Sequence, residues 1–320
     1  MNSKKPLLRA FLFALAALLG SASTLAQTAQ APLPDPGQYS AKGADTCLEC
    51  HEDETAAYST GAIFKGKHGH RRDPRAPFGA KGLQCESCHG PGALHARNKR
   101  ASAIETFRST SKTSVEQRNQ VCQGCHEGST RTGWHAGAHQ RNDVACTDCH
   151  KMHTPRGDPV LTKASEPQVC LSCHKDQRAD FHKPSSHPVL KGLMSCSGCH
   201  SPHGSSAPAM LAKPTLNQTC FSCHADKRGP LLWEHAPVAE DCALCHTPHG
   251  SLRPALLTKS SPLLCQQCHS PSGHPSVART SNSLPGGSAG GAAFVVAGSC
   301  SNCHTKVHGS NHPSGAKLLR

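Results

Sequence analysis

The residues able to do chemistry in this 320-residue chain are its 20 cysteines and 24 histidines, both in large excess. All the cysteines fall into ten Cys-x-x-Cys pairs: Cys47/Cys50, Cys85/Cys88, Cys122/Cys125, Cys146/Cys149, Cys170/Cys173, Cys196/Cys199, Cys220/Cys223, Cys242/Cys245, Cys265/Cys268 and Cys300/Cys303. A histidine follows each pair immediately: His51, His89, His126, His150, His174, His200, His224, His246, His269 and His304. Numbered one to ten along the chain, these are Cys-x-x-Cys-His motifs, the attachment signal for haem c. Residues i and i+3 share one face of a helical turn, so two thiols can add to the two vinyl groups of one porphyrin. The next residue then brings its imidazole under the ring as the proximal iron ligand. Disulfides and zinc sites are other uses of paired cysteines. Neither accounts for ten histidines in ten identical places, a coincidence of order ~10⁻¹¹ by chance, so the haem reading prevails.

Fourteen histidines remain for the second axial position. His153, His203 and His249 each lie three residues past a motif histidine, the last two in Cys-His-x-Pro-His-Gly. A second series, His139, His187 and His235, recurs at intervals of 48 residues, each shortly before the next cysteine pair. The middle of the chain is therefore a three-fold repeat with two haems per unit. Looser copies of the plan stand at the ends. His68 or His70 precedes Cys85, His95 follows His89, and His274 and then His308 or His312 close the chain. The distal set chosen is His68, His95, His139, His153, His187, His203, His235, His249, His274 and His308, with His70, His135, His182 and His312 as spare surface or propionate-bonding side chains. Met152, Met194 and Met210 are too few for general His/Met ligation, which would raise the potentials. Ten bis-histidine haems of low, closely grouped potential are the expectation.

The elements that must position these residues are modest. Hydrophobic residues make up 36% and aromatic residues 4% of the chain, alongside 28 Gly and 24 Pro, so no side-chain core of the usual size can form. Compact α/β and all-β folds are excluded on that ground, and the porphyrins must supply the apolar surface. The fold expected is a multihaem cytochrome c: mostly irregular with short α-helices, almost no β, drawn out as an elongated haem wire. Candidate helices are Ile104 to Val121 and Gln168 to Arg178, and Ser270 to Gly298 reads as a long Gly/Ser-rich loop. With about 29 residues per haem, neighbours must approach edge to edge, and a row at roughly 10 Å per step would reach ~80–100 Å against ~40–45 Å for a bilayer. Irregular backbone cannot face lipid, but inside a β-barrel that objection disappears.

Lys4, Lys5 and Arg9, the apolar run Ala10 to Leu19 and the small residues after it have the layout of a cleavable secretory signal peptide, residues 1–26. The run is too short to span a bilayer. A Pro-rich linker follows over 27–40, and the decahaem domain occupies 41–320.

The size, motif count and motif order resemble the periplasmic decahaem cytochromes of outer-membrane porin–cytochrome conduits (the MtrA, MtoA, PioA and DmsE type), over essentially all of residues 41–320. That resemblance implies a cytochrome held in an outer-membrane β-barrel porin. It would exchange electrons with periplasmic cytochrome donors or acceptors on one side and an extracellular multihaem cytochrome or mineral iron on the other. It also implies two pentahaem halves, which would meet near 175–195. The same cysteines and histidines allow a soluble periplasmic shuttle. An enzyme of the multihaem nitrite or hydroxylamine type needs an open haem, which ten complete motifs and a surplus of distal histidines disfavour.

The formal charge of +13 first suggests a nucleic-acid partner. Loss of the signal leaves about +10, and ten haems add ~20 propionates and, when ferric, ~10 positive charges, so the oxidised holoprotein is near zero. The basic excess answers the cofactor's own propionates, and no nucleic acid is expected. Bis-histidine ligation throughout predicts EPR and visible spectra of low-spin haem; substantial high-spin or His/Met signals would overturn it.

Overall fold

The computed structural model describes residues 39–56, 85–97, 104–126, 133–153, 161–270 and 299–319, with Gly128 and Arg131 besides. The segment 1–26, most of 27–40, His68, His70, His274 and residues 271–298 lie outside the described residues.

Every described element is short and is arranged around a motif. The odd-numbered motifs sit on or at the end of a helix: Ala44–Ala56, Val115–Gln123, Glu166–Cys173, Leu216–Phe221 and Ser261–Cys265 carry motifs one, three, five, seven and nine. The even-numbered motifs form one tight turn each: Cys85–His89 and Cys146–Cys149 are α-helical, while Cys196–Gly198, Cys242–Leu244 and Cys300–Asn302 are 3₁₀. In motifs three to ten the histidine N–H donates to the carbonyl of the first cysteine at 2.9–3.0 Å. This bond closes one turn, so both sulfurs and the imidazole are held by a single local hydrogen bond.

The helix expected over Ile104 to Val121 forms only from Val115. Residues before it are held by Glu105, whose carboxylate accepts from Phe107 N–H (2.6 Å) and Ser111 Oγ (3.1 Å), with Phe107 left-handed at φ 54°. Ser114 then starts the helix through a capping box with Gln117. The helix expected over Gln168 to Arg178 is two, Glu166–Cys173 and Lys175–Phe181, broken at His174 (φ −80°, ψ 74°). That break turns the motif histidine out of the helix line.

Polar side chains tie motif three to four, five to six and seven to eight. Asn119, one turn before Cys122, accepts from Cys146 N–H at 2.8 Å and donates to Val144 C=O at 3.0 Å. Asn217, one turn before Cys220, repeats this with Cys242 N–H (2.8 Å) and the Val238 and Ala239 carbonyls (3.0 and 3.1 Å). Glu166, ahead of Cys170, accepts from Ser197 N–H and Oγ at 2.7 Å each. At the front, buried Glu86 accepts from Ser40 N–H (3.0 Å), Ser40 Oγ (2.7 Å) and Gly92 N–H (2.7 Å), docking the end of the linker onto motif two.

Side-chain packing is as sparse as the composition requires. The described hydrophobic cluster is Leu171, Phe181 and Val189, with Met194 and Cys196 against it. Among the described residues, sheet is confined to β1 (Ser185–Ser186) and β2 (Gly250–Ser251), antiparallel, with Ser186 opposite Gly250, plus isolated bridges such as Trp233 with Ser310. No described helix is long and apolar enough to cross a membrane.

Asn217→Ala would leave the Cys242 N–H and two carbonyls without this partner. The expected loss is about 1–3 kcal/mol of stability, read from denaturant unfolding of the holoprotein.

Candidate haem-binding site

The thiols of successive motifs adjoin one another. A hydrogen bond between Cys47 and Cys85 raises the first thiol and lowers the second to about 7. The same opposed shifts, from the same kind of bond, join Cys122 to Cys146 and Cys170 to Cys196. Burial and then the Cys242 charge push Cys220 up to about 12, and burial with Cys300 raises Cys265. These contacts join motif one to two, three to four, five to six, seven to eight and nine to ten. The intervening joints use the second cysteines. Burial raises Cys88, Cys149, Cys199 and Cys245, and Cys125, Cys173, Cys223 and Cys268 of the following motif add to the shift. The ten motifs therefore follow one another in chain order.

Two of the expected haem-binding thiols stand apart from these joints. Cys50 and Cys303 are the second cysteines of motifs one and ten, exposed as Cys88, Cys173, Cys223 and Cys268 also are. First cysteines link an odd motif to the next even one, and second cysteines link an even motif to the next odd one. On that alternation Cys50 and Cys303 are the thiols left over at the two ends, and the described residues bring no thiol of another motif against either. Their own turns still place them. Cys50 lies on helix Ala44–Ala56, one turn after Cys47, and Cys303 N–H donates to the Cys300 carbonyl at 3.2 Å. Glu166, Cys170 and Cys196 lie close enough to hold a metal ion, but both cysteines belong to motifs and Glu166 is engaged by Ser197. That cluster marks the joint between motifs five and six.

Among the described residues, seven motif histidines are seen facing a second histidine. Ring centres are 5.9 Å apart for His89 and His153, 5.9 Å for His150 and His203, 6.1 Å for His174 and His139, and 6.1 Å for His200 and His249. The remaining pairs are His224 with His187 at 6.4 Å, His246 with His308 at 6.1 Å and His269 with His235 at 6.0 Å. Two imidazoles bonded to one metal through Nε2 at ~2.0–2.1 Å, each nitrogen about 1.1 Å from its ring centre, stand roughly 6.3 Å apart. The spacing suits one metal ion between the rings.

In each of these pairs except His150–His203, one ring has a described hydrogen bond from Nδ1 to a backbone carbonyl, which directs Nε2 at the partner. For even motifs it is the motif ring: His89 on Glu105 (2.6 Å), His200 on Ala209 (2.9 Å) and His246 on Ala255 (2.8 Å), with His304 on Lys317 (2.7 Å) built the same way. Ala209 and Ala255 sit at φ 50° and 54°, left-handed backbone that costs an alanine about 1–2 kcal/mol. That strain aims a carbonyl at the histidine. For odd motifs the facing ring is anchored: His139 on Pro202 (2.8 Å), His187 on Pro248 (2.6 Å) and His235 on Val307 (2.9 Å).

The other facing rings are packed instead. Burial, with the charge of the facing motif histidine, holds His153, His203 and His249 below the usual imidazole range, and burial with the charges of Lys227 and then His246 does the same for His308. The neutral form so favoured is the one that binds a metal. The scarce aromatics are placed here: Trp134 lies 6.5 Å from His203, Phe181 5.5 Å from His249 and Phe107 5.5 Å from His89.

Of the distal residues expected from the sequence, the structure brings His139, His153, His187, His203, His235, His249 and His308 opposite a motif histidine. His95 stands on helix Ala93–Arg97, and His68 and His274 lie outside the described residues. His308, not His312, faces a motif; the His312 ring is bonded to Ser314 Oγ at 2.9 Å. The order of pairing was not legible. An even motif meets the histidine that follows the next even motif, whereas an odd motif meets the one that precedes the even motif before it. His150 and His203 thus reach across 175–195.

Two family models match the chain, one described as a doubled CXXCH motif over residues 187–229 and 235–274, the other as cytochrome c-type protein NrfB-like over 85–165. The chain is 49% identical over 284 residues to "Multiheme cytochrome MtrA" of Shewanella baltica (strain OS185), covering 89% of this chain and 83% of that protein. It is 29% identical over 136 residues to "Cytochrome c-type protein NrfB" of Haemophilus influenzae, covering 37% of this chain and 55% of that one. Paired thiols on closed turns, histidines facing across one metal's width and a near-complete match at this identity have a single outcome: the chain belongs to the MtrA family of multihaem c-type cytochromes.

Proposed function

We propose that this chain carries ten covalently attached haems c with bis-histidine ligation and conducts electrons across the outer membrane inside a β-barrel porin. Its partners would be periplasmic redox proteins on one side and mineral iron or an extracellular multihaem cytochrome on the other. As a member of its family it is an electron-transfer protein, not an enzyme. The observation that carries the proposal is the unbroken succession of motifs, each adjoining the next through its cysteines. When bound, haem supplies the one-electron iron couple. The chain's part is to fix distance, ligation and insulation.

In this reading every cysteine pair, from Cys47/Cys50 to Cys300/Cys303, holds one porphyrin by two thioether bonds. The exposed Cys50 and Cys303 then mark the two ends of the haem row. The ten motif histidines are proximal ligands and the facing histidines distal ones, with His68, His95 and His274 completing the distal set. Residues 1–26 are removed on export, leaving a periplasmic chain that enters the porin. Carbonyl-anchored rings present a fixed Nε2, and their buried partners stay neutral.

Two experiments test it. Reconstituted with its porin in liposomes, the protein should reduce an enclosed dye from an external donor; no transfer with the barrel present would refute the conduit, and isolation only from soluble periplasm would favour a shuttle. His308→Ala should turn one haem of the ten high-spin by EPR, while His312→Ala should change none. The reverse result would overturn the distal assignment at the C-terminus.

A further inference from the structure

The anchored distal rings bond to carbonyls that themselves stand beside ligands. Pro202, which accepts from His139, is followed by His203; Pro248, which accepts from His187, by His249; and Val307, which accepts from His235, by His308. On the axial-ligand reading above, His139 belongs to motif five and His203 to motif four. The other two links join motif seven to six and nine to eight. Consecutive sites are thus connected ligand to ligand by one hydrogen bond and one residue of backbone.

A glycine completes each connection: Gly204, Gly250 and Gly309 follow the three histidines. At Gly250 a Cβ would overlap the Asp180 carbonyl, just ahead of β1. At Gly204 it would overlap the Gly133 carbonyl, ahead of His139, and at Gly309 it would strike the Leu231 side chain and meet Trp233 C=O at 3.0 Å, ahead of His235. Gly204 and Gly309 also take φ of 103° and 121°, which other residues rarely adopt. Ser201 Oγ and Thr247 Oγ1 brace the turns by donating to the Gly204 and Gly250 carbonyls at 3.0 and 3.1 Å. The two-stranded sheet is one of these connections: Gly250 in β2 lies opposite Ser186, next to His187.

We infer that Gly204, Gly250 and Gly309 are positioning residues that lock the axial ligands of two consecutive haems together, coupling sites four with five, six with seven and eight with nine. Without the side chain, the x-His-Gly turn comes near enough for its carbonyl to reach the neighbouring ligand. A shift of either ring is passed to the other. This rests on the axial-ligand assignment, and the test separates the two.

The test is EPR spin quantification of the oxidised holoprotein. Gly250→Ala should alter the low-spin signals of two haems in ten, those of motifs six and seven, and leave eight unchanged. A folded variant with one haem altered, or none, overturns the inference. If Gly250→Ala does not accumulate, His187→Ala decides: one haem should become high-spin and one further low-spin signal should move. One high-spin haem with nine signals unmoved overturns the coupling while the ligand assignment stands. No high-spin haem overturns the assignment itself, and the coupling with it.

Discussion

An imidazole that donates its Nδ1 proton to a backbone carbonyl has one lone pair left, on Nε2, and no freedom to choose where it points. Much of this fold depends on that constraint. Each of the seven histidine pairs draws its rings from segments far apart in sequence, and in six of them one ring is fixed by a carbonyl the structure describes. The strained alanines, the Pro-His-Gly turns and the two-residue strands all deliver such a carbonyl. Secondary structure here serves ligand geometry rather than a hydrophobic interior.

The poverty of the side-chain core follows from the same arrangement. Leu171, Phe181 and Val189 pack together, and Phe181 is shared between that cluster and His249. Trp134 and Phe107 likewise lie against histidines. With this few large residues, placing them beside rings that must stay neutral gives each a second use. Polar clamps such as Asn119 and Asn217 supply the cohesion between motifs that leucines provide elsewhere, because backbone N–H groups of a motif turn need acceptors once they are covered.

Much of this was legible in the residues themselves. Motif identity, the two-motif period and the histidines that recur with it are local patterns, so His139, His187 and His235 could be picked out from their intervals alone. The short helices and the near absence of sheet followed from composition. Helix extents were less legible: Ile104 to Val121 has the right composition for a helix, yet Glu105 captures the backbone ahead of Ser114 and a capping box sets the start. Ten like motifs also hide that Cys50 and Cys303 differ from the other thiols, in that the described residues bring no thiol of another motif against either. Partner choice was not legible at all. Periodicity says which residues are equivalent, and every unit offers the same two histidines; which ring faces which is decided by approach over 34 to 64 residues, and nothing local records it.

The direction of that pairing bears on how the protein can be completed. Sites two, four, six and eight each face a histidine that lies downstream, beyond the next even motif. On the export and axial-ligand readings proposed above, a chain threaded N-terminus first through a secretion channel would present the cysteines of such a site well before its second ligand emerged. The emerging chain would always carry a half-dressed site. Closure would trail translocation by two motifs, and the last turn to arrive, around His308, would finish a site whose cysteines had passed through long before.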